Sequence, residues 1–349
     1  SSDVCSSDLN CQKAKSQFKK QHYNRKKIIL LVLAATLTIA CNEKNKKEQR
    51  YIQDSSGVLN NLSVVIDNDL WKAKVRDAVR DVVTTNVPGL PQNEPMFDVN
   101  QIPPQVFKDF ATKNRTVLRV SKGKEAGLKI ANNVYAKPQK VVFVTGQNND
   151  QIIEILKANK DKIISAFKAQ EVKWRQDQIK KSVLNTDEIE KELGITITFP
   201  SIYRFAKKDD NFFWIRKNLS TGTNNVMLYT IPYDSINKEG DIIEQVIKYR
   251  DSLGKKYIPG PLDGSYMKTE EAYSPFLFNT TIDNKPTYEV RSTWDIEGTF
   301  NAGPFVNYMI EDKPNNRYIV AEGFTFAPSV NKRDFVLELE AIIKSLKVK

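Results

Sequence analysis

The spacing of apolar positions changes once along the chain, near Gly194. Before it, Asn61 to Asp67 (NLSVVID) is an apolar run that predicts a buried strand, and Trp71, Val75, Val79 and Val82 recur at helical spacing over Asp69 to Val83. A Pro-rich passage follows (Val87 to Pro91, Glu94-Pro95, Ile102 to Pro104), then a short helix over Val106 to Thr112 and strands over Arg115 to Ser121 and Lys140 to Thr145. Asp150 is placed to cap a helix that turns Ile152, Leu156, Ile163 and Phe167 inward. Glu171 to Leu193 is highly charged with a helical pattern and a break near Asn185. After Gly194 the period becomes two, predicting strands at Ile195 to Phe199, Phe212 to Lys217, Val226 to Ile231, Thr287 to Trp294, Phe305 to Glu311 and Tyr318 to Phe326. Asp283 to Pro286 and Asp312 to Asn316 read as hairpin connections, which favour antiparallel pairing. Helices are expected over Asp241 to Leu253, closed by Gly254, and over Lys332 to Leu346, where Phe335, Leu339, Ile342 and Leu346 form a stripe. The whole predicts an α+β protein of two α/β units: an N-terminal domain at 54–170, a helical connector at 171–193, and a C-terminal domain at 194–349 built as an antiparallel sheet with helices packed on it.

Residues before 54 do not read as fold. Ser1 to Leu9 looks like the translation of a sequencing adapter and is set aside as an artefact. Residues 10–40 read as a secretion signal: Lys19, Lys20, Arg25, Lys26 and Lys27 precede an uncharged, mainly apolar run from Ile28 to Ala40, too short for a bilayer core that takes about 20 apolar residues. Cys41 directly after the small residue Ala40 resembles a bacterial lipobox, with Leu37 one place early. That resemblance implies acylation of Cys41, a membrane anchor, and a polar tether over 41–53, placing the protein at the outer membrane facing the periplasm or the exterior.

Charge and composition narrow the chemistry further. The 349 residues carry a formal net charge of +11, but residues 1–41 contribute +5 of it, leaving +6 on the remainder. That modest excess, without a basic stripe, argues against nucleic acid as a partner. The single histidine is His22 and the cysteines are Cys5, Cys11 and Cys41. Beyond Cys41, triads needing histidine, thiol catalysis, zinc sites of His and Cys ligands, iron-sulfur clusters and disulfides are therefore excluded. No cofactor, resident metal or catalytic residue is expected.

Several positions qualify as binding candidates. Asp67 and Asp69 flank the first strand-to-helix turn beside Trp71, a set able to bind a cation through oxygen ligands, to hydrogen-bond a sugar stacked on the indole, or to cap the helix. The loop Gly254 to Tyr273 gathers Lys255, Tyr257 and Tyr266, and lacks the spacing of a phosphate-binding P-loop. Trp294 lies beside Asp295 and Glu297, the ingredients of a two-carboxylate glycosidase site. Phe212, Phe213 and Trp214 place aromatics on both faces of one strand, as a sheet core does.

The strings Asp67-Asn-Asp-Leu-Trp71, Val87-Pro-Gly-Leu-Pro91, Tyr257-Ile-Pro-Gly-Pro261, Ala302-Gly-Pro-Phe-Val-Asn-Tyr308 and Glu322-Gly-Phe-Thr-Phe-Ala-Pro328 resemble an uncharacterised lipoprotein family of Bacteroidota, a domain-of-unknown-function family, over residues 54 to 349. The resemblance implies export, lipidation and a two-part α/β body, and brings no ligand or catalytic residue. The element order of the second half also resembles the PsbP-like layout of photosystem extrinsic proteins. We therefore expect a lipid-anchored cell-envelope protein with a non-catalytic binding or scaffolding role and an envelope protein or glycan as partner. The alternative is a carboxylate-based hydrolase acting on glycans through Asp67, Asp69, Asp295 and Glu297.

Overall fold

A computed structural model describes residues 52–349; the adapter-like segment, the signal and Cys41 lie outside the described residues. After the two-residue strand β1 (Gln53–Asp54) comes β2 (Asn61–Val65), which is apolar throughout because both its faces are covered: Leu62 and Val64 enter one core and Val65 another. Helix α1 (Ala73–Val83), β3 (Asp98–Ile102), β4 (Thr116–Lys122), β5 (Gly127–Asn132), β6 (Ala136–Lys137), β7 (Lys140–Gly146), α2 (Asn149–Ala158) and α3 (Lys160–Ile179) complete this half. Its sheet has the order β3-β2-β4-β7-β5, parallel except for β5. All three helices pack on one face, where Val75, Val79, Ile152, Leu156, Ile163 and Phe167 meet Leu62, Val64, Leu118 and Val142. The other face is covered thinly, by Phe107, Val134 and Tyr135 over Val65, Val117 and Val141.

Helix α4 (Asp187–Leu193) ends on Gly194, which takes the left-handed φ of 62° that a glycine adopts without strain. It leads through β8 (Ile195–Thr196) into β9 (Arg204–Asp209), β10 (Phe212–Leu219), β11 (Gly222–Pro232), α5 (Ile242–Tyr257), β12 (Met267–Thr269), β13 (Phe276–Ile282), β14 (Lys285–Ile296), β15 (Ala302–Asp312), β16 (Arg317–Phe326), α6 (Arg333–Ile343) and β17 (Lys347–Val348). Seven strands form the path β12-β14-β15-β16-β11-β10-β9, and β13 also pairs with β14; every pairing is antiparallel. Side chains alternate between two cores. Phe213, Ile215, Val226, Leu228, Tyr308 and Ile319 face α6, while Phe212, Met227, Tyr229, Met309, Val320 and Phe324 face the α5 side. The protein is thus α+β, its C-terminal part an antiparallel sheet with a helix on each face.

Several sequence expectations need correction. The helix after β2 starts at Ala73 rather than Asp69, and neither Asp67 nor Asp69 caps it, because the backbone first makes a turn in which Leu70 and Trp71 donate to the Asp67 carbonyl. Asn148, not Asp150, caps α2, accepting from the Gln151 amide at 2.9 Å. Val106 to Thr112 forms short 3-10 turns rather than an α-helix. Gly254 does not close α5, which runs on to Tyr257; a Cβ there would sit 2.2 Å from the Met267 carbonyl oxygen, so the glycine serves the close approach of β12 to the helix. The charged stretch from Glu171 is helical with the expected break near Asn185. Its first nine residues are the second half of α3, and the chain breaks at 180–186 before α4. Ile163 and Phe167 of α3 enter the core of the parallel sheet, and Val172 and Ile179 enter the core under α6.

Candidate functional site

Both faces of α3 are in use. Ser165, Lys168, Ala169, Val172, Lys173 and Gln176 recur at intervals of three and four, so they share one face of the helix. With Lys344, just past the end of α6, they line an open groove of about 370 Å³. Gln176 Nε2 donates to the Ala341 carbonyl at 3.0 Å, fixing one wall against α6.

Beneath the groove lies a buried ionic cluster. Glu340 of α6 is 2 % exposed and meets three cations: Arg291 Nη2 at 2.6 Å from Oε1, and Lys168 Nζ at 3.0 Å and Lys344 Nζ at 3.3 Å from Oε2. Arg291, on β14, also reaches Glu289 Oε1 at 2.5 Å. Burial opposes ionisation of Glu340, but Arg291, Lys168 and Lys344 outweigh it and hold the carboxyl well below the usual range. Burial and the neighbouring Arg291 lower the Lys168 ammonium to about 8, against the pull of Glu340. Burial and the two carboxylates push the Tyr308 phenol up, and its hydroxyl has no hydrogen-bond partner among the described residues. Three cations against two carboxylates leave the cluster at +1, and exposed Lys173 adds another positive charge at the rim.

Lys168 also lines an internal cavity of about 30 Å³ on the other side, bounded by Asn60, Met96, Phe97, Arg333, Leu337 and Glu340. That volume holds a water molecule or two and nothing larger. Two residues before Glu340 on α6, Glu338 binds Arg175 of α3, Lys217 of β10 and the Tyr203 hydroxyl, the last at 2.8 Å. Two buried acids of α6 therefore each hold a cation of α3, which ties the helix of one sheet to the helix of the other.

The residues singled out in the sequence sit elsewhere. Asp67 and Asp69 are exposed in the turn after β2, where Asp67 accepts from Gln105 Nε2 at 3.3 Å and Asp69 pairs with Lys72 at 2.6 Å; Trp71 is half-buried against the helices. Tyr257 is buried, stacked on Phe212 at 4.0 Å. Lys255 Nζ lies 5.1 Å from the Tyr266 ring centroid. Trp294 is 3 % exposed and packs edge-on against Phe324 at 5.8 Å, so its indole face is core rather than platform. Asp295 lies on the opposite face of β14; burial raises its carboxyl, opposed by nearby Lys268, which pairs with Glu297 at 2.8 Å. Asp67 and Asp69 thus follow a strand of one sheet, while Asp295 lies on and Glu297 just follows a strand of the other, and none of the four lines the groove or the small cavity. Among the described residues there is no group of three or more His, Cys, Asp or Glu arranged to hold a metal, and no helix long and apolar enough to cross a membrane.

The groove residues were overlooked because they look like ordinary surface charge. The available signal was placement: Glu338 and Glu340 interrupt the apolar run Phe335 to Ile343, and Arg291 follows Val290 in a strand expected to be core. A charge inside such a run is buried only when paired.

Two family models match the chain, both described as domains of unknown function: DUF8532 over residues 55–180 and DUF4837 over residues 182–345. No curated protein matches. Among solved structures, the chain is similar to the Ran-binding protein Mog1p of Saccharomyces cerevisiae (10% identity, 44% of this chain, 90% of that one, TM-score 0.30), to the cyanobacterial PsbP protein of Synechocystis (11%, 48%, 93%, TM-score 0.33) and to LpqN of Mycobacterium tuberculosis, a protein involved in cell envelope biogenesis (12%, 44%, 82%, TM-score 0.25).

Proposed function

We propose that this is a non-catalytic binding protein of the cell envelope, held to the membrane by acyl chains on Cys41, and that its α3–α6 groove takes a small anionic ligand. One observation carries the ligand class. The groove is lined by Lys168, Lys173 and Lys344, and the acids within reach, Glu340 and Glu289, are shared with buried Arg291, so the four cations outnumber the two carboxylates by two. An incoming carboxylate or phosphate meets Lys173 and the excess positive charge of Lys168 and Lys344, which share the one carboxylate of Glu340, and Gln176 and Ser165 line the same groove with hydrogen-bonding groups. The anchor rests on the sequence: a basic flank, a short apolar run and Cys41 after a small residue.

A thermal-shift series with citrate, inorganic pyrophosphate and sodium chloride at matched ionic strength tests the ligand class. Citrate or pyrophosphate should raise the melting temperature of the wild type and leave Lys173→Ala/Lys344→Ala unmoved. Equal responses to all three salts, or an unchanged response in the variant, would remove the groove from the account.

A further inference from the structure

The thinly covered face of the parallel sheet carries a second groove, of about 270 Å³, chemically unlike the first. Its lining contains no charged side chain. Asn61 of β2, Asn100 of β3 and Asn114 before β4 form a chain of amides: Asn61 Oδ1 accepts from Asn100 Nδ2 at 3.0 Å and from Asn114 Nδ2 at 3.2 Å, and Asn114 Nδ2 also reaches Ser63 Oγ at 2.9 Å. Asn114 Oδ1 is buried without a hydrogen-bond partner, a group that ordinarily finds one. Among the described residues, Asn61 Nδ2 donates to nothing and Asn100 Oδ1 accepts from nothing. Asn61 Nδ2 and Asn100 Oδ1 thus leave one donor and one acceptor at the groove, with the unpaired Asn114 Oδ1 packed behind them against Gly57.

Apolar surface stands beside them. Phe110 is 73 % exposed and Val58 68 %, and both line the groove. Lys113 Nζ lies 5.9 Å from the Phe110 centroid, at the outer limit of a cation–π contact. The wall is fixed from behind: buried Arg115 donates to the carbonyls of Gly57 at 2.7 Å and Val58 at 2.9 Å and is itself paired with buried Glu171 at 3.2 Å, so the groove is formed before any ligand arrives.

We infer that this groove binds a neutral saccharide. Vicinal hydroxyls present alternating donors and acceptors that planar amides match in pairs, and the C–H face of a pyranose packs on an exposed aromatic ring. The uncharged lining disfavours a phosphorylated or uronate sugar, which would lose hydration without gaining a counter-ion. An extended peptide is the less suitable occupant, because the amides lie over the sheet face and not along the open edge of β3. This inference does not rest on the anion groove.

Titration of the full chain with neutral trisaccharides (β-linked glucose, α-linked glucose and N-acetylglucosamine trimers), followed by saturation-transfer NMR and calorimetry, tests it. At least one trimer should bind saturably, and Phe110→Ala and Asn100→Ala should each weaken it roughly tenfold, the scale of one lost aromatic or hydrogen-bond contact. Both side chains are exposed, so neither variant should disturb folding, which circular dichroism verifies. Lys173→Ala should bind the trimer like wild type. Absence of binding by all three trimers, equal binding by the two variants, selective binding of uronate or sulfated sugars, or occupation by an extended peptide instead would each overturn the inference.

Discussion

Lys168 Nζ lies 3.0 Å from Glu340 Oε2, and this contact joins a helix of the parallel sheet to the helix on the antiparallel one. The same carboxylate holds Arg291 of β14 at 2.6 Å and is 2 % exposed, so one buried acid of α6 organises a core arginine and two lysines that open onto the groove. Pairs of this kind are costly to break, because removing one partner strands the others without counter-charge.

Glu340→Gln should therefore lose about 3–5 kcal/mol of stability, the range for breaking a buried ion pair. Arg291→Met combined with Glu340→Leu and Glu289→Leu should recover part of that loss, since it removes the buried arginine together with both of its carboxylate partners. Urea denaturation checks both; a Glu340→Gln variant with wild-type stability would mean that water already screens the cluster.

Lys168 should be the most reactive accessible amine of the folded body. Its ammonium loses the proton near pH 8, against about 10.4 for an ordinary lysine, so near pH 8 roughly half of it is nucleophilic while exposed lysines remain charged. Lys217 is lowered to about 8 by burial and Arg175 as well, but its side chain is less exposed than that of Lys168 and is held on Glu338 together with Arg175. Because the folded value lies below the unfolded one, the folded state binds fewer protons between the two, and this group's contribution to stability rises as pH increases through that window. Acetylation with a limiting reagent near pH 8, read by peptide mass spectrometry, should mark Lys168 first, and citrate should protect it. Uniform labelling of surface lysines would contradict the burial argument.

Glu94 caps α6 from the other half of the protein. Its carboxylate accepts from the backbone amides of Lys332 at 2.7 Å and Arg333 at 2.9 Å, at the positive end of the helix. Glu94→Ala should cost about 1–2 kcal/mol, as loss of a buried cap does, and Glu94→Gln less. Equal stability of the three proteins would show that water replaces the cap.

Cys41→Ala should move the protein from the membrane fraction to the soluble fraction when the precursor is expressed in a bacterium that lipidates exported proteins. Unchanged detergent partitioning would remove the anchor from the account.

Much of the architecture was legible because the chain after Gly194 falls into short apolar and β-branched runs bounded by turn residues, as β10, β11, β14, β15 and β16 are, and the near-continuous apolar character of β15 and β16 fits a sheet covered on both faces. The Asp283-Asn284 turn was legible too, both residues taking the positive φ that a tight hairpin demands. Less visible were β3, β5, β9 and β13, which lie at or near sheet edges and carry the polar, interrupted patterns of partly solvated strands. Gly254 misled because its sequence position matches a helix stop, while its reason is the Met267 carbonyl brought close by the tertiary fold. The two grooves were invisible for a related cause. Lys168, Arg291 and Glu340 are far apart in sequence, and the asparagines at 61, 100 and 114 converge only through the parallel pairing of β2 with β3 and β4.

Calorimetric titration of citrate into the full chain and into Lys173→Glu/Lys344→Glu, on both sides of pH 8, decides whether the α3–α6 groove is a binding site. The account predicts saturable binding to the wild type that weakens as pH rises past about 8, where Lys168 loses its charge, and none to the variant. Binding that is absent from the wild type, or that survives both charge reversal and the rise in pH, would contradict it.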